Sequence, residues 1–366
     1  MKIVLTGGGT GGHIYPAISI GQALKEAVPD VELLYVGSSH GPEGEIAHKA
    51  GIPFVAIPSS SLSKALSLRN MAAFGKLLMG FFRARKVLGR FKPDIVIGTG
   101  GYVSAAILLA QWSRRGKIVI HEQNSRPGRT NTALARLARR VCVTFESSVA
   151  FLPKGRVEIT GLPIRTEFRT LPPKAEARRV FGLDETLFTI VVIGGSQGAK
   201  RVNEIVAGAW PLIDDGKTQI LHQVGQRNIE EMRALIGATQ DNQRYRVEAY
   251  VDMPAALGSA DLVISRSGAS SIAEITAAGL PSILFPYPHA YADHQTGNAL
   301  YLVDHEAALL CGDSSTTPEM LAGIIIELRS APEKLDAMGA ASAGLGKPDA
   351  ADRVAQIALS IAETKD

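Results

Sequence analysis

Four glycine-bearing stretches each follow a short apolar run and precede a helical pattern: Gly7-Gly8-Gly9-Thr10-Gly11-Gly12-His13, Gly98-Thr99-Gly100-Gly101-Tyr102, Gly194-Gly195-Ser196-Gln197-Gly198-Ala199 and Ser265-Arg266-Ser267-Gly268-Ala269. The first N–H groups of a helix have no intrahelical partner and carry partial positive charge, which suits phosphate oxygens. Glycine is also what any tight strand-to-helix turn requires, so one such loop says little. Four of them, shared between both halves, point to a phosphorylated ligand. Glu274 stands six residues beyond Gly268, one to two turns into the following helix. A carboxylate there can accept both hydroxyls of a ribose, or can simply be an acid favoured near a helix start. Downstream, Asp293, His294, Gln295 and Asn298 crowd hydroxyl-recognising side chains into a loop and helix start. His289, Asp293 and His294 could instead ligate a metal, but their spacing matches no zinc pattern and no metal is expected.

Two familiar phosphate chemistries fit poorly. Gly7, Gly9 and Gly12 satisfy the G-x-G-x-x-G spacing of nicotinamide-dependent oxidoreductases, yet that reading wants an acid at the end of the second strand, where Val36 is followed by Gly37-Ser38. Glu32 has the right offset but lies at the strand's beginning. Gly198 is followed by Ala199 rather than by Lys and Ser or Thr, so the triphosphate-hydrolysing P-loop is missing.

The elements that must position these residues follow a βαβ rhythm. Strands are predicted at Ile3 to Leu5, Val31 to Val36, Ile95 to Ile97, Ile118 to Ile120 and Val141 to Thr144, and again at Phe188 to Ile193, Ile220 to Val224, Val247 to Tyr250, Leu262 to Ile264 and Ser282 to Phe285. Between the two series lie Gly161-Leu162-Pro163-Ile164-Arg165 and Leu171-Pro172-Pro173, which read as a hinge. The expectation is α/β: two doubly wound domains facing each other across a cleft, spanning 1–163 and 164–345. A closing helix within 346–366 carries Val354, Ile357, Ala358 and Ile361 on one face and could pack on either domain.

A chain of 366 residues with 46% hydrophobic and 20% charged residues is large enough for two cores and too apolar for disorder. Only Cys142 and Cys311 occur, so a disulfide framework and a thiolate metal cluster are unsupported and a reducing cytoplasm fits best. Met1 to Thr6 reads as a buried strand, not a signal peptide, and no stretch approaches a membrane span. The net charge of +4 is unevenly shared: residues 1–163 hold 21 Lys and Arg against 9 Asp and Glu, leaving 18 against 26 in the remainder. A field of one sign seeks an anionic partner. Nucleic acid, an anionic lipid surface and a pyrophosphate-bearing substrate are all compatible with it.

No acid occurs between Glu45 and Asp94, and Arg69 to Arg90 forms a strong amphipathic helical pattern. Met71, Phe74, Leu77, Leu78, Phe81, Phe82 and Leu88 share one side; Lys76, Arg83, Lys86 and Arg90 share the other, with Arg85 the exception. The helix packs its phenylalanines on the core, or dips into a bilayer while its cations meet anionic headgroups, or does each with a different end. Nucleic acid is disfavoured because aromatics are 6% of the chain and no recognition motif is visible.

In this order the motifs resemble the MurG family, the membrane-associated UDP-N-acetylglucosamine transferases of peptidoglycan synthesis. The carriers are Gly8-Gly9-Thr10-Gly11-Gly12-His13, Gly98-Thr99-Gly100-Gly101-Tyr102-Val103-Ser104, His121-Glu122-Gln123-Asn124, Gly194-Gly195-Ser196-Gln197-Gly198-Ala199, Arg266-Ser267-Gly268-Ala269 with Glu274, and Asp293-His294-Gln295 with Asn298-Ala299. The resemblance spans essentially the whole chain. It implies the GT-B fold, with acceptor in the front domain and UDP-sugar in the rear one. It also implies transfer of N-acetylglucosamine from UDP-N-acetylglucosamine to the C4 hydroxyl of undecaprenyl-diphospho-N-acetylmuramoyl-pentapeptide (lipid I), with inversion, to give lipid II. The implied location is the cytoplasmic face of the plasma membrane, held peripherally by Phe74, Lys76, Phe81, Phe82, Arg83, Arg85 and Lys86, with other proteins of cell-wall synthesis as further partners.

By position, the resemblance gives Glu274 the uridine ribose, Ser196 and the backbone of Gln197 and Gly198 the diphosphate, and Arg165 the uracil region with backbone near Tyr250. It gives His294 and Gln295 the sugar hydroxyls, and adds Ser267, Gly268 and Asn298 to the donor site. It also places Thr10, Gly11, Gly12, His13 and Asn124 among the UDP-N-acetylglucosamine-binding residues, and Thr10, His13, Tyr102 and Asn124 along the lipid-substrate site. His13 is the expected base, or it binds the acceptor instead; Glu122 is the reserve. Helix N-termini in place of a cation would stabilise departing UDP, so no cofactor is expected. Other readings are a glycolipid glycosyltransferase, a UDP-N-acetylglucosamine 2-epimerase, and a non-catalytic UDP-sugar-binding subunit.

Overall fold

The structure, a computed structural model, describes residues 1–59, 68–195, 198–237 and 244–364, and the side chains of 68–74 lie outside that description. Ser196, Gln197 and the Phe74 side chain therefore lie outside the described residues. The chain divides into two compact units, one of Met1–Arg165 with Pro348–Asp366 and one of Thr166–Lys347.

In the first unit the strands are β1 (Lys2–Thr6), β2 (Glu32–Ser38), β3 (Phe54–Ile57), β4 (Ile95–Gly98), β5 (Lys117–Glu122), β6 (Arg140–Val143) and β7 (Val157–Ile159). Its helices are α1 (Gly11–Ala27), α2 (Glu43–Lys49), α3 (Leu68–Phe91), α4 (Tyr102–Trp112) and α5 (Arg129–Leu134). The strands form one parallel sheet in the order β3-β2-β1-β4-β5-β6-β7. Alternate residues face opposite sides, and the central strands β1, β4 and β5 bury both their faces. Ile3, Leu5, Ile97 and Val119 pack under α1, while Val4, Val96, Ile118 and Ile120 pack under α3 and α4.

The second unit contains α6 (Lys174–Val180), β8 (Phe188–Ile193), α7 (Lys200–Ile213), β9 (Thr218–Gln223), α8 (Ile229–Gly237), β10 (Tyr245–Glu248), α9 (Met253–Ser259), β11 (Leu262–Arg266), α10 (Ala269–Ala277), β12 (Ser282–Phe285), α11 (His294–Val303), β13 (Ala308–Leu310), α12 (Pro318–Ser330) and α13 (Pro332–Leu345). Its parallel sheet runs β10-β9-β8-β11-β12-β13. Ile190, Val192, Ile264 and Ile283 meet Trp210 of α7 and Leu321 and Ile325 of α12 in its core.

The last helix, α14 (Ala350–Glu363), lies on α1 and the β4–β5 part of the first sheet. Ala351, Val354, Ala355 and Ala358 are its buried stripe, while Ile357 and Ile361 pack at its margin. The buried face is thus rotated from the predicted one toward small residues, because alanines let two helices approach closely. The connection expected to be a hinge is buried at Leu162 and Ile164, and Gly161 there has a left-handed φ of 84°. Three strands escape the sequence pattern, β3, β7 and β13, all short and at sheet edges, where half of the packing that selects Val and Ile is missing.

Candidate active site

Each sheet reverses its winding once, between β1 and β4 in the first unit and between β8 and β11 in the second. Ligands of open α/β sheets bind outside the carboxyl ends of the strands at such switch points. The four glycine loops follow these four strands. The helices they open, α1, α4, α7 and α10, have neither a side-chain cap nor an acid in the first turn. Asp252 and Thr317 cap α9 and α12, and acids start α2, α6, α8, α13 and α14, whereas α5 and α11 share the uncapped, acid-free start. The donors at the switch points remain available to an anion.

In the first unit the two loops are pressed together. Gly8 N–H donates to Gly100 O at 3.2 Å, and a Cβ on Gly101, whose φ is 83°, would lie 2.1 Å from Gly8 O, so only glycine fits. Gly9 N–H donates to the buried Glu43 carboxylate at 3.0 Å, and Tyr102 packs beside Gly9. His13, half-buried in the first turn of α1, has Nδ1 3.0 Å from both Thr99 O and Gln123 Oε1. Gln123 Nε2 lies 2.7 Å from Thr99 O, 3.0 Å from His121 O and 3.2 Å from His121 Nδ1. His121 Nε2 lies 2.9 Å from Gly161 O, and burial pulls its pKa down to about 4. His121 and Gln123 face the α1 side because β5 and its continuation alternate.

Glu122 faces the other side, 1% exposed. It accepts from Asn124 N–H at 2.9 Å, from Gly128 N–H at 3.0 Å and from Asn131 Nδ2 at 2.8 Å. This carboxylate, the expected reserve base, braces the loop leading into α5, with its lone pairs on protein donors. Asn124 is half-buried beside it.

In the second unit, Ser267 and Asn298 are buried and tie the β11 loop to α11: Ser267 Oγ donates to Gln295 O at 2.8 Å, and Asn298 Nδ2 donates to Ser267 O at 3.2 Å. Asn298, expected among the hydroxyl readers, is therefore a strut of the site; helical phase turns it inward. Gln295 Oε1 accepts from Tyr287 N–H at 2.9 Å. His294 Nδ1 contacts Tyr291 O at 2.8 Å. Ala292 and Asp293 both have left-handed φ, 51° and 54°, and swing the chain into α11. Glu274 is half-buried in the second turn of α10. Arg266 pairs with Asp313 and donates to Phe285 O and Pro286 O, fixing the loop beyond β12. Gly198, φ 75°, approaches Asn228 and Val224 O, and Tyr250 is exposed beyond β10.

A family model, the glycosyltransferase family 28 N-terminal domain, matches residues 3–143, and the corresponding C-terminal domain matches residues 189–354. The chain belongs to glycosyltransferase family 28. It is 40% identical, over 99% of both chains, to the UDP-N-acetylglucosamine--N-acetylmuramyl-(pentapeptide) pyrophosphoryl-undecaprenol N-acetylglucosamine transferase of Desulforudis audaxviator. The crystal structure of Acinetobacter baumannii MurG superposes with a TM-score of 0.79 at 29% identity, covering 98% of this chain and 99% of that one. A UDP-GlcNAc 2-epimerase from Neisseria meningitidis, solved with UDP-GlcNAc, superposes with a TM-score of 0.70 at 13% identity over 98% and 100% of the two chains, a likeness of fold alone. The family 28 chain is a glycosyltransferase with two Rossmann-like parallel-sheet domains of the GT-B class.

The first unit of this family 28 glycosyltransferase gathers Thr10, Gly11, Gly12, His13, Tyr102 and Asn124 at the carboxyl ends of β1, β4 and β5; the second gathers Gly198, Tyr250, Ser267, Gly268, Gln295 and His294 at those of its own strands. Arg165, the last residue of the first unit before the chain enters the second, has its guanidinium 5.8 Å from the Tyr15 ring centroid in α1. Among the described residues no three or more His, Cys, Asp or Glu side chains are grouped as metal ligands. Sequence reasoning missed Thr99, His121 and Gln123, although polar residues two apart at the end of a buried strand were a usable signal.

Helix α3 splits the amphipathic segment differently from expectation. Leu77, Phe81, Ala84 and Leu88 face α4 and the core. Leu78, Met79 and Phe82 are exposed, Phe82 by 65% and Met79 by 61%, beside exposed Lys76, Arg83, Arg85 and Lys86. Lys76 and Lys86 form no ion pair among the described residues. A groove of about 480 Å³, with Leu34, Val55, Val87 and Phe91 in its walls and Arg83, Lys86 and Arg90 around it, lies alongside. No described helix is long and apolar enough to cross a membrane.

Proposed function

We propose that the chain transfers N-acetylglucosamine from UDP-N-acetylglucosamine to the C4 hydroxyl of undecaprenyl-diphospho-N-acetylmuramoyl-pentapeptide, inverting the anomeric carbon and releasing UDP. The observation that carries this reading is the identity of 40% along 99% of both chains with a transferase of that specificity. The uncapped helix starts at the two switch points and the cationic, apolar face of α3 support it. The first unit takes the lipid-linked acceptor and the second the nucleotide sugar.

In the proposed step the acceptor C4 hydroxyl gives its proton to His13 Nε2 while its oxygen bonds to the anomeric carbon from the face opposite the diphosphate. The bond from that carbon to the β-phosphate oxygen breaks, and its electron pair leaves with UDP. Helix N-termini lower the cost of the charge gathering there, about as oxyanion-hole donors do. Glu274 accepts the ribose hydroxyls, Gln295 and His294 meet the sugar, and Thr10, Tyr102 and Asn124 line the acceptor side. The proposed location is the cytoplasmic face of the membrane, with Phe82 and its neighbours in the acyl boundary and the cations on anionic headgroups.

Replacing Glu274 by Ala tests the donor site. KM for UDP-N-acetylglucosamine should rise about 10- to 100-fold, the worth of one or two hydrogen bonds to a charged group, with the circular dichroism spectrum retained. An unchanged KM removes the ribose assignment. Tight UDP-sugar binding by the purified chain without UDP release onto a lipid I analogue would make it a binding subunit instead.

A further inference from the structure

The His13 ring lies between two groups that only accept hydrogen bonds. Thr99 O is a carbonyl, and the second partner, 3.0 Å from Nδ1, is the Gln123 side-chain oxygen. The orientation of that amide follows from its surroundings. Its other terminus is within 2.7 to 3.2 Å of Thr99 O, His121 O and His121 Nδ1. Two of these are carbonyls. The third is a lone pair, because Gly161 O requires the proton on His121 Nε2 and full burial keeps that ring neutral. Only the NH2 group can donate at an end surrounded by acceptors, its two hydrogens shared among them, so Oε1 faces His13.

The geometry points to Gln123 as a positioning residue that, with the Thr99 carbonyl, holds His13 as the Nδ1–H tautomer with Nε2 unprotonated and open. Nε2 makes no hydrogen bond among the described residues. The inference rests on the proposed transfer for its catalytic meaning: Nε2 takes the hydroxyl proton, and the resulting imidazolium keeps its Nδ1–H on the same two acceptors. The chain of contacts begins at Gly161, in the connection that ends the first unit, so the backbone there sets the tautomer through His121 and Gln123.

The test uses the full chain labelled with 15N-histidine, with the His13 ring assigned by comparison with His13→Ala. The ring-nitrogen shifts of neutral imidazole distinguish the tautomers. His13 should carry its proton on Nδ1 and His121 on Nε2, and a His13 proton on Nε2 overturns the inference. A Gln123→Leu variant should lower kcat about tenfold or more while KM for UDP-N-acetylglucosamine stays within twofold; unchanged kcat overturns the positioning role. Should Gln123→Leu fail to fold, the spectrum of the unsubstituted protein decides alone. The two readings fail separately. Full turnover by His13→Ala with Nδ1–H seen in the parent leaves the tautomer intact and removes the base, whereas an inactive His13→Ala with Nε2–H does the reverse.

Discussion

Protonation at His222 couples to folding because its ring has no room for charge. Its Nδ1 accepts from Tyr245 Oη at 2.7 Å and its Nε2 donates to Asn203 Oδ1 at 3.1 Å, and burial pulls its pKa down to about 3. His121 is held down to about 4 by the same cause. Both folded values lie below the unfolded one near 6.5. As pH falls from about 6.5, the unfolded chain takes up protons that the native chain refuses, so stability present at pH 7 is lost toward pH 4, by about 1.4 kcal/mol per pH unit for each ring. The urea midpoint should drop between pH 7.5 and pH 5, and a His222→Gln variant should show a smaller drop; an identical one would deny His222 its part. At this scale the sequence yielded the residues at helix starts, such as His13 and Glu274, because short-range order puts them there. It could not see the partners of Gln123 and Asn298, which lie 110 and 31 positions away: Gln123 meets His13, and Asn298 meets Ser267.

Helix α3 shows how one element can serve two environments. Its period was legible, but which apolar residues face inward was not, because Phe81 and Phe82 differ by one position and hence by about 100° around the axis. Their rings meet edge to face with centroids 5.3 Å apart; Phe81 packs with the core and Phe82 stands in solvent. Phe82→Ser should weaken sedimentation with anionic liposomes several-fold and change stability by no more than about 0.5 kcal/mol. Phe81→Ser should cost about 2 kcal/mol or more in urea unfolding. If the two exchange these effects, the bilayer assignment of this helix is wrong.

The last helix belongs to the first unit, so the chain leaves that unit at Arg165 and returns at Pro348. Lys117 Nζ donates to Ala362 O at 3.1 Å, and Arg353 donates to Ile159 O at 2.9 Å, while full burial of Val354 alone is worth roughly 1.5–3 kcal/mol. A chain ending at Lys347 should therefore melt earlier by on the order of 10 °C in scanning calorimetry; an unshifted transition would mean that α14 contributes nothing to the first unit. From composition, periodicity and motif order the amino-acid sequence determined the two α/β sheets, their glycine loops and the kinship with sugar-nucleotide transferases, since each is written within a few tens of residues. Only the tertiary structure decided which unit receives the tail, which phenylalanine meets water and which partners the His13 ring meets. Those outcomes turn on packing and hydrogen bonds between segments far apart in the chain, and local pattern carries no record of them.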